Sequence, residues 1–203
     1  MNKLLSLILV LLPLKLMASI ELKVGDVLLQ PLHCWSCSLI EAEEDTIYSH
    51  IGIVIAVLPE IRVAEAFGKV KNVSLEEFNK KTEKGQALRV LRFKNDKLVD
   101  DMQVDQPRLM NIFSEDFEGL LYDAEFRWNN FDPNGRQKLY CSELVSKLLQ
   151  AFKGLELPIK RMHFNQNRDA WRTFFKGNIP DNEWGNSPGD YERSDLFYAL
   201  GDI

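Results

Sequence analysis

The feature that most constrains the fold is an apolar run at 50–58, which is rich in β-branched residues and is stopped by Pro59. A run of this length and composition is typical of a β-strand. A second strand-like run follows at 62–67 and is closed by Gly68. The short spacing between the two runs predicts a β-hairpin.

The remaining segments predict more strands early in the chain and helices later. Ser74, followed three residues on by Glu77, is a capping pattern that predicts a helix start. The apolar residues at 144, 145, 148 and 149 follow helical spacing, so 139–149 is predicted as a helix. The other predictions are strands at 21–30 and 87–93, a short helix at 33–44, a mostly helical stretch at 96–128, a polar loop at 129–135, and surface loops from Pro158 onward with one short helix near 169–175. Strands followed by helices indicate an α+β domain.

The N-terminal segment at 1–19 differs in composition from the rest of the chain. Lys3 precedes an apolar run at 4–14, and small residues close the segment, as in a cleavable signal peptide. The run is shorter than the roughly 20 apolar residues that span a bilayer, and an uncleaved membrane anchor is the alternative. We therefore expect a signal peptide at 1–19, a single domain at 20–203, and a periplasmic or secreted bacterial protein without stable membrane insertion after cleavage.

The charge of the chain argues against nucleic acid as a partner. Lys and Arg number 25 and Asp and Glu number 30, which gives a formal net charge of −5 over 203 residues. The sequence has no basic stripe or arginine-rich tail of the kind that contacts phosphates. The length supports one domain with a sizeable core.

The chain has three cysteines: Cys34, Cys37 and Cys141. In an oxidising compartment an odd count leaves one thiol free, and Cys34 is close enough in sequence to pair with Cys37. Three interpretations of this pair remain open: a disulfide at a helix start, a reduced pair packed against the core, and a metal or redox site. A four-ligand zinc site lacks obvious further ligands, and a thioredoxin-like role lacks the βαβ context of that motif.

Cys141 and His50 are the candidates for nucleophile and base. Cys141 stands at the front of a predicted helix, where backbone N–H groups and the helix dipole favour a thiolate. A buried structural cysteine is the alternative at this position. His50 begins an apolar strand, and an imidazole can take the proton of a thiol to form an activated ion pair. The only other histidines are His33, beside Cys34, and His163, in the loop-rich tail.

Glu65 lies between alanines in the second predicted strand. A carboxylate among small apolar residues costs free energy unless it is paired. Orienting a histidine through its second ring nitrogen would provide that pair. An exposed position on one face of the strand is the alternative interpretation.

Three motifs resemble the permuted papain-like amidases of the NlpC/P60 superfamily, in particular the YiiX/YaeF group. They are YSHIGIV at 48–54, VAEA at 63–66 and YCSELV at 140–145. The order His, Glu, Cys is the reverse of papain, in which the cysteine comes first, and it marks the permuted group. Supporting matches are GDVLLQ at 25–30, the stretch containing Tyr122, Asp123, Phe126 and Trp128, and the closing segment with SPGD at 187–190, Ser194 and Phe197.

This resemblance implies a circularly permuted papain-like fold, with an antiparallel sheet packed against helices and the nucleophile at a helix N-terminus. It implies Cys141 as nucleophile, His50 as general base and later acid, and Glu65 as the residue that orients His50. The oxyanion hole would come from the Cys141 backbone N–H and the Tyr48 side chain. The reaction would be acyl transfer through a thioacyl-enzyme, and it needs no cofactor and no metal.

The competing functions require different sets of these residues. The leading hypothesis is an exported cysteine amidase acting on a cell-wall-type peptide such as a peptidoglycan fragment, with acyl lipids as the alternative substrate. A binding module for lipid or peptide has no need for the complete Cys, His and Glu set. A redox protein would need the thiols of Cys34 and Cys37 to cycle.

Overall fold

An eight-stranded sheet forms the centre of the structure. The computed structural model describes residues 20–94 and 102–203, so the predicted signal peptide at 1–19 lies outside the described residues. The elements in chain order are β1 (Val27–Gln30), α1 (Trp35–Glu44), β2 (His50–Ala56), β3 (Arg62–Phe67), β4 (Lys69–Ser74), α2 (Leu75–Asn79), β5 (Arg89–Phe93), α3 (Met102–Asp116), β6 (Leu121–Tyr122), β7 (Lys138–Leu139), α4 (Cys141–Lys153), β8 (Lys160–Arg161), α5 (Arg168–Phe174), β9 (Trp184–Gly185), α6 (Pro188–Glu192) and β10 (Phe197–Asp202).

The strand order in the main sheet is β10-β5-β1-β2-β3-β4-β6-β7. Every pair is antiparallel except the short β6–β7 pair, which is parallel. The strands β8 and β9 form a separate two-stranded sheet. The predicted α+β class and the antiparallel sheet packed against helices are confirmed.

Strand β2 is buried along its whole length because both faces of the sheet are covered. Ile51, Ile53 and Ile55 face α4 and belong to the larger core cluster, whereas Val54 faces the opposite side, where α2 contributes Phe78. This alternation explains why residues 51–56 are apolar throughout rather than at every second residue.

Gly52 is required by the close packing of that second face. A Cβ atom on residue 52 would lie 2.6 Å from Val63 Cγ1 and 2.9 Å from Phe78 Cε2. The absent side chain lets Phe78 approach the strand, and its ring lies 5.6 Å from the His50 ring. The glycine two residues after the histidine therefore helps to fix the position of the imidazole.

Several predicted elements are confirmed with small shifts in their ends. Helix α2 begins after Ser74, whose Oγ accepts the Glu77 N–H at 3.1 Å, as the capping pattern predicts. The predicted helix at 139–149 begins at Cys141 and extends to Lys153, where Gly154 ends it with a left-handed φ of 66°. Within residues 20–94 and 102–203, no helix is long and apolar enough to cross a membrane.

Two predictions about the second half of the chain hold only in part. In the described part of the stretch at 96–128, the predicted helix is present as α3 and ends at Asp116; β6 and a loop follow, and in the loop the Asp123 carboxylate accepts the N–H groups of Glu125 and Arg127. The tail after Pro158 is not only surface loop around one helix. It adds α6, whose start is closed by a capping box between Ser187 and Asp190, and it adds β10 to the edge of the main sheet.

Candidate active site

Helix α4 carries Cys141 at its first residue. Tyr140 is the N-cap but makes no side-chain hydrogen bond to the helix, so the first N–H groups are available to other acceptors. Leu144, Leu148 and Phe152 are fully buried in the core against the sheet, which fixes the position of the helix. Cys141 is a free thiol that is 8% exposed, and it lines a mostly apolar pocket at the end of the sheet.

A set of buried hydrogen bonds ties the first two turns of α4 to the segment before β10. Ser142 Oγ donates to the Asn186 carbonyl at 3.0 Å, and the Tyr191 hydroxyl donates to the Ser142 carbonyl at 2.9 Å. Asn186 Nδ2 donates to Ser146 Oγ at 2.6 Å, and the Ser146 and Tyr191 hydroxyls lie 2.7 Å apart. All four residues are buried, so these bonds are protected from water and hold the nucleophile-bearing end of α4 in one position.

His50 and Glu65 meet across two neighbouring strands. His50 is the first residue of β2, and its Nε2 lies 2.8 Å from Oε2 of Glu65 in β3. Both side chains are buried, with exposures of 3% and 0%. The rings of Phe67 and Phe78 flank the imidazole at 5.5 and 5.6 Å. Since Nε2 is engaged by Glu65, Nδ1 is the ring nitrogen left for proton transfer.

Two lysines make the burial of Glu65 possible. Lys81 Nζ donates to both carboxylate oxygens at 2.6 Å, and Lys71 Nζ lies 3.7 Å from Oε1. Burial raises the pKa of Glu65, but the hydrogen bonds from His50 and Lys81 outweigh it and lower that pKa to about 2. Glu65 is therefore an anion that can hold the His50 tautomer and stabilise its cation. Lys81 stands just beyond α2, and no sequence pattern singled it out.

The thiol and the imidazole are both neutral in the resting site. Burial lowers the pKa of His50 below its usual value, against the opposing effect of Glu65. Burial raises the pKa of Cys141 to about 12, although the backbone N–H groups of Ser142 and Ile51 lower it. The N–H groups at the helix start favour the thiolate, as expected, but the loss of solvation is larger and raises the pKa of the thiol overall. Proton transfer must accompany attack on the substrate.

The pocket that contains Cys141 and His50 has a volume of about 300 Å³. One wall is the end of the sheet with α4, and the other comes from a separate apolar cluster formed by α1, α5 and the residues between β8 and α5. That cluster, which we call the α1–α5 cluster, consists of Leu39, Met162, Phe164, Trp171 and Phe175. The lining is mostly aromatic and aliphatic, as is common for substrate pockets.

The two acidic residues in the pocket lining are already used by the protein. Glu44 accepts Lys160 Nζ at 2.7 Å, and Glu43 accepts the backbone N–H groups of Asn165 and Gln166 at 3.0 and 2.7 Å. Their charges are therefore compensated within the fold rather than presented to a ligand.

Tyr48 does not belong to the site, contrary to the sequence expectation for the oxyanion hole. It is buried in the main core, its ring lies 5.9 Å from the Arg89 guanidinium, and it does not line the pocket. Two other tyrosines, Tyr122 and Tyr140, line the pocket, and both lie close enough to Cys141 to interact with it electrostatically. Burial raises the pKa of Tyr122, and the neighbouring Cys141 raises it further, so the phenol keeps its proton and can donate a hydrogen bond. Tyr122 was part of the family resemblance, but no spacing rule identified its role.

Cys34 and Cys37 form a disulfide at the start of α1. Cys34 is the N-cap, and its Sγ accepts the Cys37 N–H at 3.1 Å. Both residues line the pocket, so the disulfide fixes the end of the helix that borders Cys141. Within the described part of the chain, no group of three or more His, Cys, Asp or Glu residues could hold a metal ion.

The other two histidines lie apart from the group formed by Cys141, His50 and Glu65. His33 is exposed, with Nδ1 3.5 Å from Glu83, and His163 lines the outer part of the pocket. His50 is thus the histidine that combines burial, a carboxylate partner and a place beside Cys141.

Comparisons with known proteins identify the family of the chain. The YiiX protein of Escherichia coli K12 is 27% identical over 133 residues, which are 66% of this chain and 60% of that protein. The crystal structure of the metalloprotein YiiX from Escherichia coli O157:H7 matches with a TM-score of 0.74 at 22% identity, covering 89% of this chain and 97% of the other. The family described as permuted papain-like amidase enzymes, YaeF/YiiX, C92, matches residues 21–185. The chain therefore belongs to this family of papain-like cysteine amidases.

Proposed function

We propose that the protein hydrolyses an amide bond through a Cys141–His50–Glu65 triad and a thioacyl-enzyme. The observation that carries this proposal is the buried 2.8 Å contact between His50 Nε2 and Glu65, in the wall of the pocket that Cys141 lines. A base oriented by a third group and placed beside a nucleophile is the general signature of covalent acyl transfer.

The steps follow from the neutral resting pair. Cys141 Sγ attacks the substrate carbonyl while its proton passes to His50 Nδ1, and the resulting imidazolium is stabilised by Glu65. His50 then gives the proton to the leaving amine as the C–N bond breaks, which leaves the acyl group on Cys141. A water molecule, deprotonated by His50, releases the acid and restores the thiol.

The oxyanion formed in each step needs hydrogen-bond donors near Cys141. We assign this role to the Cys141 backbone N–H and the Tyr122 hydroxyl. The Tyr122 assignment is supported by its place in the pocket lining and by its burial beside the thiol.

The pocket lining supports a second candidate substrate besides the cell-wall-type peptide suggested by the sequence. Peptidoglycan stem peptides carry several charged groups, whereas Glu43 and Glu44 in the lining are already paired. The apolar lining instead suits an acyl group, so an amide or ester of an acyl lipid is a second candidate.

We also propose that the chain is exported. The composition of 1–19 supports a signal peptide, and the disulfide between Cys34 and Cys37 is of the kind that persists in oxidising compartments. Mass measurement of the protein from the periplasmic fraction would show a mass consistent with cleavage near residue 19. A full-length mass in the cytoplasmic fraction would contradict export.

The solved structure of the Escherichia coli O157:H7 relative is described as that of a metalloprotein. Within residues 20–94 and 102–203 of this chain, no group of three or more His, Cys, Asp or Glu side chains could hold a metal ion. The steps proposed above are carried by Cys141, His50 and Glu65.

The test is a substrate screen with peptidoglycan fragments, N-acyl amides and acyl esters, read by mass spectrometry of products and of the intact protein. Wild type should release product and carry a transient acyl mass on Cys141, and Cys141→Ala should do neither. Equal product from wild type and Cys141→Ala would overturn the proposed function.

A further inference from the structure

Phe126 occupies an unusual place in the wall of the active-site pocket. It lies in the loop after β6 and has a φ of 52°, in the left-handed region that bulky residues rarely adopt. Its ring contacts three other rings, at centroid distances of 5.9 Å to Tyr140, 5.5 Å to Phe174 and 5.8 Å to Phe175. The loop therefore holds this one aromatic side chain inward at a conformational cost.

Two buried carboxylates hold the loop in that shape. Asp123 accepts the N–H groups of Glu125 and Arg127 and Nδ2 of Asn130, at 3.1, 2.9 and 2.9 Å. Glu143 accepts the N–H of Asn129 at 2.8 Å. Both carboxylates are 0% exposed, and burial of such groups is costly unless they are hydrogen-bonded.

Glu143 also connects the loop to the nucleophile. It lies two residues after Cys141 on the same helix, α4. The hydrogen bond between Asn129 and Glu143 therefore ties the loop that carries Phe126 to the helix that carries Cys141.

The rings of Phe126 and Phe174 lie between two cavities. On one side is the active-site pocket of about 300 Å³, and on the other is an open depression of about 580 Å³. Ala124 and Phe174 line both cavities, whereas Phe126 lines only the active-site pocket. The ring of Phe126 thus lies where the first cavity would otherwise continue towards the second.

We propose that Phe126 is a specificity-determining residue that limits the length of the apolar substrate group accepted beside Cys141. This inference rests on the proposed function for the identity of the reacting centre, but its test does not require turnover. The proposed occupant is an unbranched apolar group next to the scissile carbonyl, since the pocket lining that contains both Cys141 and Phe126 is mostly apolar.

The test measures binding of primary alkyl amides, from butanamide to dodecanamide, to protein carrying Cys141→Ala. Trp171 lines the pocket, so quenching of tryptophan fluorescence can report binding. Affinity should rise by roughly fourfold per buried methylene and then stop rising once the chain reaches Phe126. In Phe126→Gly, which removes the ring and tolerates the left-handed backbone, affinity should continue to rise for chains at least two carbons longer.

Phe131→Ala is the matched control, because Phe131 follows in the same loop region, is 54% exposed and does not line the pocket. It should keep the length limit of the parent protein. An unchanged limit in folded Phe126→Gly, or no binding of any amide to either protein, would overturn the inference. Failure of the proposed function would appear separately, as normal length-limited binding without hydrolysis by the protein that retains Cys141.

Discussion

Glu65 and Glu143 are both fully buried carboxyl groups close to the reacting centre, yet their pKa values are shifted in opposite directions. Glu65 has His50 and Lys81 in direct contact, and its pKa falls to about 2. Glu143 has one backbone N–H and a lysine at 3.6 Å, its Oε2 has no partner within the described residues, and burial raises its pKa to about 7. The difference shows that the charge of a buried carboxylate depends on the number of hydrogen-bond donors in contact with it and not on burial alone.

This contrast divides the site into two regions. The strand region of β2 and β3 is built around a permanent anion that serves chemistry. The region of α4 and the loop after β6 is built around a carboxyl group that is largely protonated below neutral pH and serves shape. Each of the following experiments changes one region and leaves the other as the reference.

The largest effect is expected from Glu65→Gln compared with Glu143→Gln. Loss of the anion at 65 removes the partner that fixes the His50 tautomer and stabilises its cation, so kcat/KM should fall by a factor on the order of 10³–10⁴. Glu143→Gln replaces a protonated carboxyl by an amide of the same shape, so kcat/KM near pH 6 should stay within about twofold of wild type. Steady-state rates on a substrate from the screen check both values. Equal losses in the two variants would show that the two carboxylates do not differ in role.

An intermediate effect is expected from Lys81→Met compared with Lys71→Met. Both cations lower the pKa of His50, and Lys81 is the closer to Glu65, at 2.6 Å against 3.7 Å. Removing Lys81 should raise the pKa of His50 and move the acid limb of the rate profile upward by about one pH unit. Lys71→Met should move it less.

The pH dependence of kcat/KM for the two lysine variants measures these shifts. A shift to lower pH in Lys81→Met would contradict the assigned electrostatics.

The smallest effect is on stability, from Glu143→Gln across pH. When folding raises the pKa of a group, the group stabilises the protein fully at pH values below its pKa in the unfolded chain. This contribution is lost as the pH rises through its pKa in the folded protein. For Glu143 the loss falls between pH 4.5 and about 7 and amounts to about 3 kcal/mol. The free energy of unfolding of Glu143→Gln, measured with urea, should therefore increase relative to wild type over this interval. A constant difference would show that Glu143 is already ionised in the folded protein.

Local sequence patterns predict the strand region well and the loop region poorly. The run at 50–58 and the motif around Glu65 depend on neighbours in sequence, and the structure pairs these residues in adjacent strands. The roles of Lys81, Tyr122 and Asn186 depend on contacts between distant segments, which no periodicity encodes. The prediction of a mostly helical 96–128 holds for 102–116 but misses the loop after β6, where the Asp123 side chain accepts backbone N–H groups.

The sequence also could not predict the ionisation of the nucleophile. Position at a helix start favours a thiolate, but the pKa of Cys141 depends on how completely the thiol is removed from water, which only the packed structure shows. Tyr48 was misassigned for a related reason. Its nearness to His50 in sequence does not say on which side of the chain its ring lies, and the ring lies in the core near Arg89.

The central claim is that His50 activates Cys141. Its most direct test is to measure the rate of iodoacetamide labelling as a function of pH in wild type and in His50→Ala. Peptide mass mapping shows that the labelled residue is Cys141. Because neutral His50 takes the proton and its pKa is lowered, labelling of wild type should persist unchanged below pH 6.5. In His50→Ala the buried thiol, whose pKa is about 12, should label slowly. The labelling rate should increase as the pH rises. Identical profiles in both proteins, with the midpoint near 8.5 of an ordinary thiol, would contradict the account.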